Sequence, residues 1–557
     1  MKRLFISILS IAVATIVTEA RQRTLAEMQA AAAQAITSAG NLSNQGARTL
    51  TAPKVLQNDT QLTLLGYENG GFAVIANDDA FSPVLGYATG THLSATHAPG
   101  FIWWMEAMNR SLEAKLMNGT TETPVPHSES ERKAVGPLLT TQWGQDAPFN
   151  NLCPEYTDKN NTTKKYITGC VATSMAQVMN YHKYPAKGTG SYTHRFNNGN
   201  GTITLRADFG STSYDWTNML DAYTNGQYTN AEAEAVATLM LHCGIATRMQ
   251  YNEEGSGTQS YKARNALKTY FGYHPNIKCI MREYFHVEEW MQIIYRELND
   301  GCPIIYGGTT QAGAGHSFVL DGYDENGLVS VNWGWNGSDN GYFDIASLNG
   351  FSENQDMVIV RTADDDRYTD TAQSLWGMRD PLSISVSGTS LTLKANALYN
   401  FYEIDFLDGF SGKVDLVAEN LSTGEITTLA TVDDEIFDMK FGTGFETRPI
   451  NNIPTNGLSN GEYRIYMASM PETEDDSWQP VRSKEGTCNS YLLTKSGNNI
   501  ELKTELSSAW TDVKNIKTAE TNAISTGVYT LDGRYAGKNL NDMPKGIYIY
   551  NGQKVTK

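Results

Sequence analysis

Thr168-Gly169-Cys170-Val171-Ala172-Thr173-Ser174-Met175-Ala176-Gln177-Val178-Met179-Asn180-Tyr181-His182 reads as a turn running into a helix. Val171, Met175, Val178, Met179 and His182 recur at helical spacing, so one face of that helix is apolar. Gly169 permits a sharp turn just before it, which sets Cys170 at or next to the helix N-terminus. Unpaired N–H groups and the positive end of the macrodipole lie there. Both favour thiolate over thiol, and the thiolate is the nucleophile. The competing reading is a structural cysteine that opens a core helix.

A nucleophilic thiol needs a base beside it, a group that orients the base, and donors for an oxyanion. His316 opens a strand after Gly313-Ala314-Gly315 and lies 146 positions beyond Cys170. That is inside the roughly 130–150 positions separating nucleophile from base in papain-type sequences. The other eight histidines read as structural. His182 sits three turns along the Cys170 helix and cannot reach the thiol. Asn332, ending a strand that pairs with the His316 strand, is the candidate orienter, since an amide oxygen can fix an imidazole tautomer. Trp333 would shield that bond from water, while Trp335 reads as core. Gln145 precedes Cys170 by 25 positions. Its side-chain N–H with the Cys170 amide would make an oxyanion hole, each donor giving about 3–4 kcal/mol in the transition state. Gln142 is the rival, and spacing alone does not choose.

Around this stretch the chain divides. Residues 1–20 pair Lys2 and Arg3 with the apolar run Leu4 to Val17 and the small-residue site Thr18-Glu19-Ala20, as a secretory signal does. Residues 21–133 hold an Ala-rich helix, strands at Gly71–Ala76 and Pro83–Tyr87, and a helix over Phe101–Met117. They end in a polar, Pro-containing linker from Gly119 to Arg132 that is open to proteolysis. Residues 134–364 place helices near 231–246, 260–270 and 287–299 before strands at 304–307, 316–323, 328–333 and 341–345, with a Tyr- and Gly-rich loop region over 186–230. That is an α+β order. Residues 365–504 read as a β-sandwich of immunoglobulin type, and 505–557 as short strands with tight turns.

The 557 residues suffice for three or four domains. With a formal net charge of −18 and no long basic run, the chain shows no nucleic-acid footprint. Six cysteines are too few for a disulfide scaffold of this size, and no pairing can be assigned. No His-x-x-x-His or paired Cys-x-x-Cys spacing calls for a metal, and no cofactor is expected.

The order Gln…Cys…His…Asn-Trp-Gly-Trp resembles the streptopain family of papain-fold cysteine peptidases. Gln145-Asp146-Ala147-Pro148-Phe149-Asn150, Thr168–Thr173, Ala176–Tyr181, Lys183-Tyr184-Pro185, Gly315-His316-Ser317-Phe318-Val319 and Asn332-Trp333-Gly334-Trp335 carry the resemblance. It implies a papain-like catalytic domain over 134–364. The 21–133 region would then be an α+β inhibitory prodomain, acting as an intramolecular inhibitor until the linker is cut. It favours Gln145 over Gln142. It makes Gly315, Ser256 and Gly257 substrate-backbone contacts, with an apolar preference two positions before the scissile bond. Tyr306-Gly307-Gly308-Thr309-Thr310-Gln311 departs from the family pattern. The tail, through Leu531-Asp532-Gly533-Arg534, Pro544-Lys545-Gly546-Ile547-Tyr548 and the last lysines, is similar to type IX secretion sorting domains, which implies outer-membrane export and surface attachment.

The expectation is a secreted cysteine endopeptidase made as a zymogen, acting on proteins or peptides through a Cys170–His316 pair within bonding reach. The rivals are a surface binding protein with a relic peptidase domain, and a thiol transferase or amidase on a similar fold.

Overall fold

The computed structural model describes residues 21–38, 52–67, 70–89, 97–118, 133–199, 201–223, 226–275, 277–309, 315–348, 353–365, 376–401, 409–440, 442–472, 478–484 and 486–506, and short strands at 528–530, 535–537, 547–550 and 553–556. The signal segment, the whole linker, the stretch 310–314 and the sorting-tail turns lie outside the described residues.

One ten-stranded sheet organises everything up to residue 365. Its strands in chain order are β1 (Lys54–Asn58), β2 (Leu62–Tyr67), β3 (Gly70–Ala76), β4 (Val84–Ala88), β5 (Lys278–Met281), β6 (Ile304–Thr309), β7 (Gly315–Tyr323), β8 (Val329–Asn332), β9 (Gly341–Phe343) and β10 (Glu353–Ile359). The spatial order is β1-β2-β3-β4-β9-β8-β7-β6-β10-β5. The first four strands, from the region before the linker, are therefore stitched edge-on to the later six. Tyr87 pairs with Tyr342 and Gly86 with Phe343 across that seam. Beyond the linker, Val135 exchanges backbone hydrogen bonds with Tyr323 at 2.9 and 2.8 Å, so the chain re-enters along β7.

Six helices flank the sheet: α1 (Leu25–Ser38), α2 (Pro99–Met117), α3 (Cys170–His182), α4 (Asn230–Ala246), α5 (Ser260–Phe271) and α6 (Val287–Asn299). Strand alternation gives the sheet two apolar faces. On one, α2 and α6 bury Phe101, Trp103, Trp104 and Trp290 against Phe72, Tyr306, Phe318, Trp333 and Phe343. On the other, α3, α4 and α5 bury Met175, Val178, Met240 and Leu267 against Ile305, Val319 and Val358. The first core draws residues from both sides of the linker.

Local chemistry sets the helix ends. α3 starts at Gly169, whose φ of 88° suits glycine, and stops at Lys183 in the left-handed region, where the Lys183 amide donates to the Asn180 and Met179 carbonyls. α4 starts at a capping box between Thr229 and Glu232. The stretch 186–230, read as loop, contains the hairpin Tyr192–Asn197 with Thr202–Ala207. Among the described residues no helix is long and apolar enough to cross a membrane.

Residues 376–506 form an all-β unit of one six-stranded and two three-stranded sheets. Its core gathers Trp376, Leu391, Phe410, Leu416, Ile465 and Leu493. It meets the helical region where Arg482 grips Glu289 through two 3.0 Å bonds and lies 4.2 Å over the Phe285 ring. Cys153, Cys170, Cys243 and Cys488 are free thiols.

Candidate active site

Cys170 is the first residue of α3, and its sulfur accepts hydrogen bonds from the amides of Ser317, Val171 and Cys170 itself. These donors lower the thiol pKa, but burial is the larger effect and pushes it up. The amides at the head of α3 thus act in the direction the sequence implies, and burial acts against them.

The Ser317 amide brings β7 to the sulfur, and the Ser317 hydroxyl donates to Ser174 on α3 at 3.3 Å. Ser317 therefore faces α3. Alternation along the strand then turns its neighbour His316 to the opposite face, with Phe318. His316 pairs with Gly308, and a methyl group at Gly308 would collide with Trp103 of α2. Among the described residues no hydrogen bond joins the His316 ring to the Cys170 sulfur. Burial alone lowers the His316 pKa. The sulfur at the head of α3 thus meets one face of β7 at Ser317, while His316 next to it is turned to the other face, over which α2 packs. The expectation of an imidazole within bonding reach of the sulfur is not met in this form of the chain.

Asn332 does not contact the His316 ring in this form of the chain. It pairs with Val319, three residues along from His316, and shares Val319's face. Its amide donates to the Thr141 carbonyl at 2.7 Å and accepts from the Gly334 amide at 3.0 Å and Gln177 at 3.3 Å. It ties the 141–143 segment to α3 and does not orient His316. Trp333, the next residue, turns to the α2 side, donates to the Asp339 carbonyl at 2.9 Å and packs on Phe318 at 4.7 Å between ring centroids. It covers the face that carries His316.

Gln145 is buried, and its carbonyl accepts from the Thr168 amide at 3.2 Å, two residues before Cys170. Gln142 is exposed and lies against Gly337. Of the two, Gln145 is the one brought to the head of α3. Ser256 belongs to a loop pinned by paired backbone bonds between Gln250 and Gly257 at 3.0 and 3.1 Å. A methyl group on Gly169 would lie 2.8 Å from the Ser256 carbonyl, so this loop also borders the head of α3. Gly315 begins β7 at the exposed edge. Among the described residues no cluster of His, Cys, Asp or Glu is arranged to hold a metal. Three other histidines carry structural partners or burial: His242 bonds Tyr214 at 2.9 Å, His194 bonds the Met249 carbonyl at 2.8 Å, and burial pushes His182 down to about 4.

What the sequence reading did not contain is the seam to α2. His97 and the Ala98 amide both bond the fully buried carboxyl of Asp339, at 3.2 and 2.6 Å, and Trp104 donates to the Asp344 carbonyl at 2.9 Å. The signal was present in the cluster Phe101, Trp103 and Trp104, three large rings in four residues of a short N-terminal region.

The sequence pattern of the peptidase C10 family matches residues 143–343. The chain is 31% identical over 362 residues to the thiol protease/hemagglutinin PrtT of Porphyromonas gingivalis, covering 60% of this chain and 41% of that protein. It is 31% identical over 292 residues to streptopain of Streptococcus pyogenes, covering 50% of this chain and 72% of streptopain. A solved fragment of prointerpain A from Prevotella intermedia superposes with a TM-score of 0.51 at 43% identity, over 56% of this chain and 98% of the fragment. That fragment is the proenzyme form, which accords with an N-terminal region built into the catalytic sheet. On the breadth of streptopain that it covers, the chain belongs to the peptidase C10 family and is a cysteine peptidase.

Proposed function

We propose that the chain is the zymogen of a secreted cysteine endopeptidase, held inactive by the region before the 119–132 linker. The observation that carries this reading is the opposed orientation of Cys170 and His316 with α2 packed over the histidine's face. Loss of α2 removes the cover from the side of β7 on which His316 lies. A rotation about the first residues of β7 then suffices to turn the imidazole toward the sulfur.

In the matured enzyme His316 withdraws the thiol proton and Cys170 attacks the peptide carbonyl. The Cys170 amide and the Gln145 side chain stabilise the oxyanion. His316 returns the proton to the leaving amine, and water hydrolyses the thioester. Gly315 and the Ser256–Gly257 loop hold the substrate backbone.

Export rests on sequence alone: the N-terminal basic-apolar-small pattern over 1–20, and the tail's resemblance to sorting domains for passage across an outer membrane. The region over 365–504, read as an immunoglobulin-type sandwich, would stand between enzyme and tail, and surface attachment would follow from the tail. The test is N-terminal sequencing of purified full-length protein before and after incubation, with Cys170→Ala beside it. Wild type should acquire a new N-terminus within 119–136 and cleave casein internally, while the variant keeps its original N-terminus. A variant that matures unaided would overturn self-processing, and a wild type that never labels with a thiol-directed epoxide would overturn the peptidase reading.

A further inference from the structure

A second polar centre lies on the α3 side of the sheet, in line with Cys170. Ser317, whose amide meets the sulfur, pairs with Gly307 on β6, and Gly307 pairs with Asp356 on β10. Asp356 is thus two strands from Ser317, roughly 10 Å at about 4.8 Å per strand.

Glycine at 307 is what lets the carboxyl lie across the sheet. A methyl group there would stand 2.8 Å from Asp356 Oδ1 and 2.9 Å from Ser260 Oγ, closer than side-chain atoms approach. Ser260, opening α5, hydrogen-bonds the carboxyl, yet Oδ1 is shut from solvent and has no hydrogen-bond partner among the described residues. No cation acts on it; burial dominates and pushes the carboxyl up to about 7. The loop that borders Gly169 carries a second orphan, the buried hydroxyl of Ser256. Buried acceptors without partners cost about 1–3 kcal/mol each, more when charged. A ligand group that supplies the missing donor removes that cost.

We propose that Gly307, Ser260 and Asp356 form the floor of a substrate side-chain subsite beside Cys170, and that Asp356 selects a Lys or Arg residue there. This rests on the endopeptidase reading and refines it. An ammonium or guanidinium gives the carboxyl both a counter-charge and donors, where an apolar side chain gives neither. The stretch Tyr306–Gln311, which departs from the family pattern, contains Gly307. The apolar preference that the family resemblance implies is therefore not expected at this subsite.

The test uses the full-length chain after maturation, with active sites counted by a thiol-directed epoxide on Cys170. Peptides carry Lys, Arg, Met, Leu or Glu at each of the three positions before the cleaved bond. At one position Lys or Arg should exceed Met in kcat/KM by about tenfold or more. Asp356→Asn should bring that ratio to within about twofold of one. The proposal is overturned if wild type takes Met or Leu as readily as Lys at all three positions, or if the Asn variant keeps the basic preference. A wild type that takes up no epoxide and cleaves no peptide would instead remove the endopeptidase reading, and this proposal with it.

Discussion

At Asn332 two roles for one side chain make opposite predictions. As an orienter of His316, its loss would alter the pH profile of catalysis and leave the fold alone. As the clamp between Thr141, Gly334 and Gln177, its loss orphans a buried carbonyl and a buried amide. Asn332→Ala should therefore cost about 1–3 kcal/mol in stability by urea unfolding, with the pH dependence of kcat/KM in the matured enzyme unchanged. Asp321 makes a second residue-scale test. Burial pushes its carboxyl up to about 7, against only the Ser330 side chain and the Leu139 and Asp321 amides. The same group in the unfolded chain titrates near 3.9. Between those values the folded chain holds a proton that the unfolded chain has released, so this contribution to stability is present in acid and is lost as pH rises through about 7. Asp321→Asn should reduce the fall in urea midpoint between pH 5 and pH 8, a difference of order 2–4 kcal/mol at most. Asp356 is shifted in the same direction, so part of the fall should remain until both are changed.

Among the elements, α3 was the most readable, because its apolar period, its preceding glycine and its length agree. The three later helices follow the same logic: α4, α5 and α6 begin and end within a residue or two of where period and capping residues set them. The hairpin at 192–207 was missed although it carries a period-two signal, Ile203, Leu205 and Ala207 alternating with Thr202, Thr204 and Arg206, because its two short strands sit in a stretch rich in Tyr, Gly and polar residues that reads as loop. β10 was missed because Glu353, Asn354, Gln355 and Asp356 open it. Register was not legible at all. Whether Asn332 and His316 share a face depends on Asn332 pairing with Val319, a long-range fact that no local pattern carries. The turn before α3 was legible, and it can be tested. Gly169 has φ 88° and ψ 142°, and a methyl group there would meet the Met249 thioether at 2.7 Å and the Ser256 carbonyl at 2.8 Å. Gly169→Ala should cost about 1–3 kcal/mol from backbone strain alone. It should also slow epoxide labelling of Cys170 in the matured enzyme, because the head of the helix must shift. An unchanged labelling rate would mean that the turn does not position the thiol.

On the scale of the whole molecule, the sheet does not respect the linker. Phe101, Trp103 and Trp104 sit in one core with Trp290, Tyr306, Phe318 and Trp333, and Tyr87 both stacks on Tyr342 and donates to Asp324 at 3.0 Å. Each such ring buries about 150–250 Å², so at roughly 25 cal/mol per Å² the three α2 rings alone represent of order 10 kcal/mol of gross burial. The Asp339 and Asp344 bonds add direction to that contact. Cutting the linker therefore does not by itself free the cleft. In Cys170→Ala protein nicked by an added protease within 119–132, the two pieces should co-elute in gel filtration at micromolar concentration, and His316 should stay covered. Replacing Trp104 and Tyr87 together with alanine should let the N-terminal piece separate, since this removes a core ring and the stacking partner at the seam. Co-elution that survives both changes would place the hold elsewhere along β1–β4. Separate elution of the unaltered pieces would mean that the shared core holds far less than its buried area implies. In that case latency would depend on the covalent linker. If the pieces stay together as expected, activation in the native enzyme requires the N-terminal region to be digested after it is cut, and activity should lag behind the appearance of the nicked species.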